Sequence, residues 1–124
     1  MKMMPTVVLT ISLLTAVVVP AQAQFDAVGS LDFPTSSSGD VEQHFLRGVA
    51  ILHSFGWNQA IEQFHEAQAL DPDFAMAYWG ESLAYNHPLI SQMNPDEPRR
   101  ALQRLAPTKA ERMAKAPTER EKGF

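Results

Sequence analysis

Apolar residues recur with helical spacing through the middle of the chain, between residues 41 and 87. This periodicity predicts successive helices joined by short turns. The first helix is apolar on more than one side, which is typical of a helix buried between neighbours. We therefore predict an all-α fold with helices over Val41–Phe55, Gln59–Leu70 and Phe74–His87.

Residues that start and stop helices stand between these apolar stretches. Glycine often follows the last turn of a helix and proline cannot continue one, so Gly56 and Asp71-Pro72 are expected to separate the helices. Short polar side chains accept hydrogen bonds from the free amides of a first turn. The predicted N-caps are Asp40, Asn58 and Asp73.

The helical spacing stops after Pro88 and resumes only beyond Pro98. An apolar face then returns at Ala101, Leu102 and Leu105. A further short helix is predicted over Lys109–Ala116, and Pro117-Thr118-Glu119 is typical of the start of another.

The N-terminus has the pattern of a secretory signal peptide, predicted over residues 1–23. Lys2 precedes an apolar run from Val7 to Pro20, and Ala21-Gln22-Ala23 has the small residues that signal peptidase recognises. The run is shorter than the roughly 20 residues of a membrane-spanning helix, although an uncleaved anchor is the alternative. We expect cleavage near Ala23, no stable membrane insertion afterwards, and a periplasmic or secreted protein.

Residues 24–40 are rich in Ser, Gly and Asp and are predicted to form a linker. Leu31 and Phe33, on either side of Asp32, are placed to tuck an extended segment onto the first helices. The chain has no cysteine, so its stability in an oxidising compartment would come from packing alone.

Charge is divided unevenly along the chain. Residues 25–98 hold eleven acidic residues and one basic residue, a net charge of −10, and residues 99–124 hold eight basic and three acidic residues, a net charge of +5. Either these regions attract oppositely charged partners, or they are helix faces that complement each other. A nucleic-acid partner is not expected, because Phe124 is the only aromatic residue of the basic region.

Small and aromatic residues stand at fixed intervals: Gly48, Ala60, Phe64, Ala67 and Pro72. This spacing resembles the tetratricopeptide repeat (TPR) family over residues 41–106. The sequences HSF, AMAYWG and NHP look more specifically like exported bacterial TPR proteins, which are usually longer. The resemblance implies a solenoid of tandem antiparallel helical hairpins with about two repeats. The second repeat carries an insertion of about seven residues, and the basic helical tail 107–124 would begin an incomplete third.

The resemblance also implies a groove on one face of the first helix of each repeat. Related proteins clamp a partner's terminal carboxylate there with cations, but this face has none, so an apolar, aromatic groove is predicted. We expect Phe45, Tyr78 and Trp79 to matter most for a partner or for the core between repeats. The predicted groove residues are Phe45, Val49, His53, Met76, Trp79, Leu83, Asn86 and His87.

The leading functional hypothesis is an exported scaffold that binds a protein or peptide, or its own copies, without catalytic activity or cofactor. His65-Glu66-Ala67-Gln68-Ala69 lacks the second histidine of a zinc-protease motif, and Glu81 is expected to face solvent or pair with a neighbour.

Two alternatives stay open. His53 and His87, 34 positions apart, are candidate copper or zinc ligands. They would otherwise cap a helix and hold a turn, and Phe74 stands where the similar proteins are expected to have a cysteine. The other alternative is a truncated fragment of a longer TPR protein.

Overall fold

The computed structural model describes residues 25–87 and 92–124. The predicted signal peptide, residues 1–23, lies outside these residues. The described part is mostly helical, which confirms the all-α prediction. No helix within it is long and apolar enough to cross a membrane. Its helices are α1 (Gly39–His53), α2 (Trp57–Leu70), α3 (Ala75–Ala84), α4 (Asp96–Leu105), α5 (Lys109–Lys115) and α6 (Glu119–Lys122).

A short antiparallel pair of strands interrupts the helices between α3 and α4. Strand β1 (Asn86–His87) pairs with β2 (Gln92–Met93), with Asn86 opposite Met93 and His87 opposite Gln92. The prediction that α3 would continue to His87 was therefore wrong. Helix α3 ends at Ala84, and the Asn86 amide and His87 ring hydrogen-bond to the carbonyls of Ser82 and Ala84, which compete with further helical bonds.

Phe64 on α2 organises the packing of the first three helices. The side chain is fully buried, and its ring lies against glycines of both neighbouring helices. A Cβ added at Gly48 on α1 would stand 2.7 Å from this ring, and one at Gly80 on α3 would stand 2.5 Å away. The glycines therefore allow both helices to approach α2 closely, and Ala60 and Ala67 are buried on the same helix.

The remaining helices extend this packing along the chain. Helix α2 packs on α1 and α3, and α1 also touches α3. Helix α3 contacts both α4 and α5, and α5 contacts α6. The acidic and basic halves of the sequence meet in this assembly, because Arg104 pairs with Glu81 and Lys115 pairs with Asp73. This contact favours complementary helix faces as the reason for the uneven charge.

The three predicted N-caps were wrong by one to two positions. Ser38 precedes α1, and Asp40 lies inside the first turn, after Gly39, whose φ is +60°. Gly56 precedes α2, so Asn58 also lies in a first turn. Phe74 precedes α3, whereas the backbone N–H of Asp73 donates to the Asp71 side chain in the turn before it.

In the turn between α1 and α2, the left-handed residue is not the expected glycine. Helix α1 ends at His53, and the N–H groups of Phe55 and Gly56 donate to the carbonyls of Leu52 and Ile51. These two bonds form a Schellman motif, in which the left-handed residue is usually glycine. Here it is Phe55, with φ +62°.

A glycine is required at the next position, Gly56, because there is no space for a side chain. A Cβ on Gly56 would stand 2.6 Å from both the Ile51 side chain and the Phe25 ring. Such a distance is far inside van der Waals contact, so a larger residue would displace one of these neighbours.

The C-terminal helices follow the predicted pattern more closely. Helix α4 begins at Asp96, so Pro98 lies within its first turn, where a missing N–H costs no helical bond. Helix α5 is capped by Thr108, whose side chain accepts from the Glu111 N–H while the Glu111 carboxylate accepts from the Thr108 N–H. Helix α6 begins after Thr118, as the sequence predicted.

Candidate functional site

The predicted groove residues are divided between the core and the surface. Phe45, Val49 and Met76 are buried, so they do not form an open groove. Tyr78, the other aromatic residue expected to matter, is also buried and donates its hydroxyl to the Pro72 carbonyl at 3.0 Å. Trp79 is partly buried, whereas Leu83 and His53 are exposed.

An extended segment of the chain itself covers the face formed by α1 and α3. Phe33 lies with its ring centroid 5.5 Å from that of Phe45 and 5.8 Å from that of Trp79. Phe124 contacts both Phe33 and Trp79, at 5.7 Å and 4.8 Å. The Arg120 guanidinium lies 5.1 Å from the centre of the Phe33 ring, in position for a cation–π contact. The residues expected to be a linker thus fill much of the predicted groove.

Glu121 of α6 holds this segment in place. Its Oε1 accepts hydrogen bonds from the Ser36 N–H and hydroxyl, both at 2.8 Å, and its Oε2 accepts from the Thr118 hydroxyl at 2.9 Å. Burial opposes ionisation of this carboxyl, but the hydrogen bonds from Ser36 and Thr118 outweigh it and lower the pKa of Glu121. The segment is also fixed near its start, where Phe25 is buried and Arg47 pairs with Asp26.

Beyond the covered face lies an open cavity of about 370 Å³ between α3, α4, α5 and α6. From the predicted groove it includes Met76, Trp79 and Leu83. The sequence did not indicate that Met113 and Phe124 would join them, because these residues lie in or beside helices too short to show an apolar period. Lys109, Arg112 and Lys122 add positive charge to the lining.

The other predicted groove residues, His53, Asn86 and His87, lie near helix ends. The His53 Nδ1–H donates to the Val49 carbonyl at 2.8 Å, and His87 Nε2–H donates to the Ala84 carbonyl at 2.8 Å. The His87 ring also stacks on Trp57 with centroids 4.0 Å apart. Within residues 25–87 and 92–124, no three His, Cys, Asp or Glu residues are grouped to hold a metal ion. The copper or zinc hypothesis stays a prediction that draws no support from this geometry.

A buried polar network lies where the sequence suggested only a surface acid. Glu81 is fully buried on α3, and its carboxylate is surrounded by two side chains of α2, one of α4 and that of Tyr85, which follows α3. Tyr85 and His65 reach Oε1 at 3.1 Å and 3.0 Å, Gln68 reaches Oε2 at 2.7 Å, and Arg104 of α4 also bonds to Oε2. The expectation that Glu81 faces solvent was wrong, and its other alternative, pairing with a neighbour, is confirmed.

The electrostatics of Glu81 follow from these contacts. Burial alone would raise the pKa of the carboxyl, but hydrogen bonds from Arg104, Gln68 and His65 outweigh burial and lower it. Every buried side-chain nitrogen and oxygen in the described part has a hydrogen-bond partner. The network therefore joins α2, α3 and α4 with an ionised carboxylate at its centre.

Comparisons with family models, curated proteins and solved structures gave no significant match to this chain.

Proposed function

We propose that this chain is an exported, non-catalytic scaffold of TPR type that holds an extended protein segment on the face formed by α1 and α3. The observation that carries the proposal is the chain's own segment on that face. Phe33 fills the space between Phe45 and Trp79, and Ser36 is held through its backbone and its side chain. A face that accommodates one extended polypeptide has the shape and chemistry to accommodate another.

The packing of the helices is compatible with tandem hairpins. Helix α1 contacts α3, and α3 contacts α5. Helix α2 packs on both α1 and α3, and α4 packs on α3. Phe64 and the small residues Gly48, Ala60 and Ala67 make the close contacts that the resemblance implies. These contacts support the repeat interpretation, and the signal-peptide pattern of residues 1–23 supports export.

A peptide added in trans tests the proposal directly. The chain's own segment occupies the face formed by α1 and α3 at a high effective concentration and competes with an added peptide. The Phe33 side chain, which anchors the segment, is therefore removed first. In the Phe33→Ala protein, a labelled peptide of residues 28–38, VGSLDFPTSSS, should bind about tenfold tighter or more than to the unmodified protein. That factor follows from the buried area of one phenylalanine ring.

Fluorescence anisotropy measures the binding, and the same peptide with alanine in place of Phe33 is the control. Addition of Trp79→Ala to the Phe33→Ala protein should abolish binding, with circular dichroism confirming that the helices remain. Equal binding of both peptides, or no binding to the Phe33→Ala protein, would show that this face does not hold an extended segment.

A further inference from the structure

An open, mostly apolar cavity lies between α3, α4, α5 and α6. Its volume is about 370 Å³, within the range of small-molecule sites. Leu83, Met113 and Phe124 line it and remain 37%, 39% and 53% exposed. Exposed apolar side chains grouped around one cavity are typical of a binding site.

The charges around the cavity are predominantly positive. Lys109, Arg112 and Lys122 line it, and Glu121 is the only acid among the lining residues. The Glu121 carboxylate is already engaged by Ser36 and Thr118. Lys122 pairs with Glu119, and one Arg112 nitrogen donates to the carbonyls of Ala106 and Pro107. Lys109 forms no ion pair among the described residues, so its charge is available to a ligand.

We propose that this cavity binds an anionic amphiphile, a medium-chain carboxylate whose head group meets Lys109 and Arg112 and whose chain lies along Trp79, Leu83 and Met113. A cavity of about 370 Å³ is within the range of small-molecule sites, and decanoate is a small carboxylate with an apolar chain. A phenylalanine or leucine side chain from a protein partner would bring no negative charge to Lys109 and Arg112.

This site goes beyond the scaffold proposal and does not depend on it. The cavity shares Trp79 and Phe124 with the contacts of Phe33, but Lys109, Arg112 and Met113 belong to α5 and line only the cavity. Decanoate binding can therefore be retained if the peptide assay fails, and the peptide assay can succeed if decanoate does not bind.

Isothermal titration calorimetry of the purified protein with decanoate, below its micelle concentration, tests the site. We expect saturable binding of one decanoate per chain and at least tenfold weaker binding of decyltrimethylammonium, which has a similar chain and the opposite charge. Lys109→Gln should weaken decanoate binding about three- to tenfold, as for loss of one partly screened ion pair. Lys115→Gln is the matched control on the same helix, because Lys115 does not line the cavity, and it should change the affinity less than about twofold.

Leu83→Glu tests the apolar wall, since it places a negative charge beside the chain of the ligand. It should abolish decanoate binding, whereas Leu70→Glu, at an exposed leucine outside the cavity, should not. A Trp57→Phe protein leaves Trp79 as the only tryptophan, and decanoate should change its fluorescence. Equal binding of the two amphiphiles, equal effects of Lys109→Gln and Lys115→Gln, or no saturable binding would each overturn the proposal. Lys109 lies on the surface, so its result stands even if Leu83→Glu unfolds the protein.

Discussion

Phe55 occupies a backbone conformation that usually belongs to glycine. Its φ of +62° lies in the left-handed region, where the Cβ of an ordinary residue crowds its own backbone. Phe55 is 61% exposed, and its ring makes an edge contact with Trp57, with centroids 6.2 Å apart. The turn between α1 and α2 therefore contains local strain. Because the Phe55 side chain is mostly exposed, its burial offsets little of that strain.

Replacement of Phe55 by two small residues should separate strain from ring contact. Phe55→Gly and Phe55→Ala both remove the contact with Trp57, but only glycine relieves the left-handed strain. We expect the glycine variant to be more stable than the alanine variant by about 1 kcal/mol. Urea denaturation followed by circular dichroism measures the difference. Equal midpoints would mean that the turn relaxes and that the strain is not stored there.

This turn also shows why the sequence indicated the wrong residue. Glycine is the usual left-handed residue after a helix, so the pattern pointed to Gly56. Gly56 is instead needed because the Phe25 ring approaches within 2.6 Å of the position of its missing Cβ. Phe25 belongs to a segment whose composition predicted a linker, and a contact between residues so far apart leaves no trace in local composition.

The Glu81 network connects α2, α3 and α4 through polar contacts. The carboxylate is fully buried, while Arg104 and His65 are about half exposed, so the network extends from the core to the surface. Removal of one charge from a buried pair leaves the other poorly compensated. The network is therefore expected to control how α4 is held against the first three helices.

Glu81→Gln should reduce stability in a manner that depends on pH. The pKa of Glu81 is lowered in the folded protein, so its contribution is present above the unfolded pKa, near 4.5, and is lost as pH falls through the folded value. At pH 7 the loss should be about 2–4 kcal/mol. The gap between the two proteins should narrow below pH 4.5, because glutamine does not titrate. Thermal melting from pH 7 to pH 3 checks this, and a constant gap would contradict it.

The helices themselves were largely predictable, because they depend on apolar spacing and small residues. The positions of Ala60, Phe64 and Ala67 identified the close packing around α2. The end of α3 was missed because Asn86 and His87 fit the apolar helix pattern by position, yet their side chains bond to the last carbonyls of that helix. The Glu81 network was missed for a related reason. Its Arg104 partner lies 23 positions away, beyond an irregular stretch that hides the register.

The two ends of the described part meet on one face. The segment that begins at Phe25 crosses α1 and α3, and it is contacted by Arg120 and Glu121 of α6 and by Phe124, which follows that helix. The sequence predicted an aromatic face, and it also predicted that the segment around Phe33 would pack against the helices. It did not indicate that α6 would close over the segment, because a four-residue helix has no periodicity to read.

Loss of Glu121 should release this segment without unfolding the helices. Glu121→Ala removes three hydrogen bonds, two from Ser36 and one from Thr118, with an expected loss of about 2 kcal/mol. Hydrogen exchange of the Ser36 amide, which donates directly to this carboxylate, should accelerate on the order of tenfold or more. Amides in the middle of α2 should keep their protection from exchange, because that helix packs on α1 and α3 and not on Glu121.

Glu119→Ala provides the matched control on the same helix. Glu119 is an exposed acid that pairs with Lys122, so its loss should leave the Ser36 amide protected. If both substitutions accelerated exchange equally, the effect would come from fraying of α6 rather than from the carboxylate. If neither did, Phe33 alone would hold the segment, because the aromatic contacts with Phe45 and Trp79 would be strong enough without the polar anchor. In that case the Phe33→Ala protein should show the fast exchange that Glu121→Ala lacks.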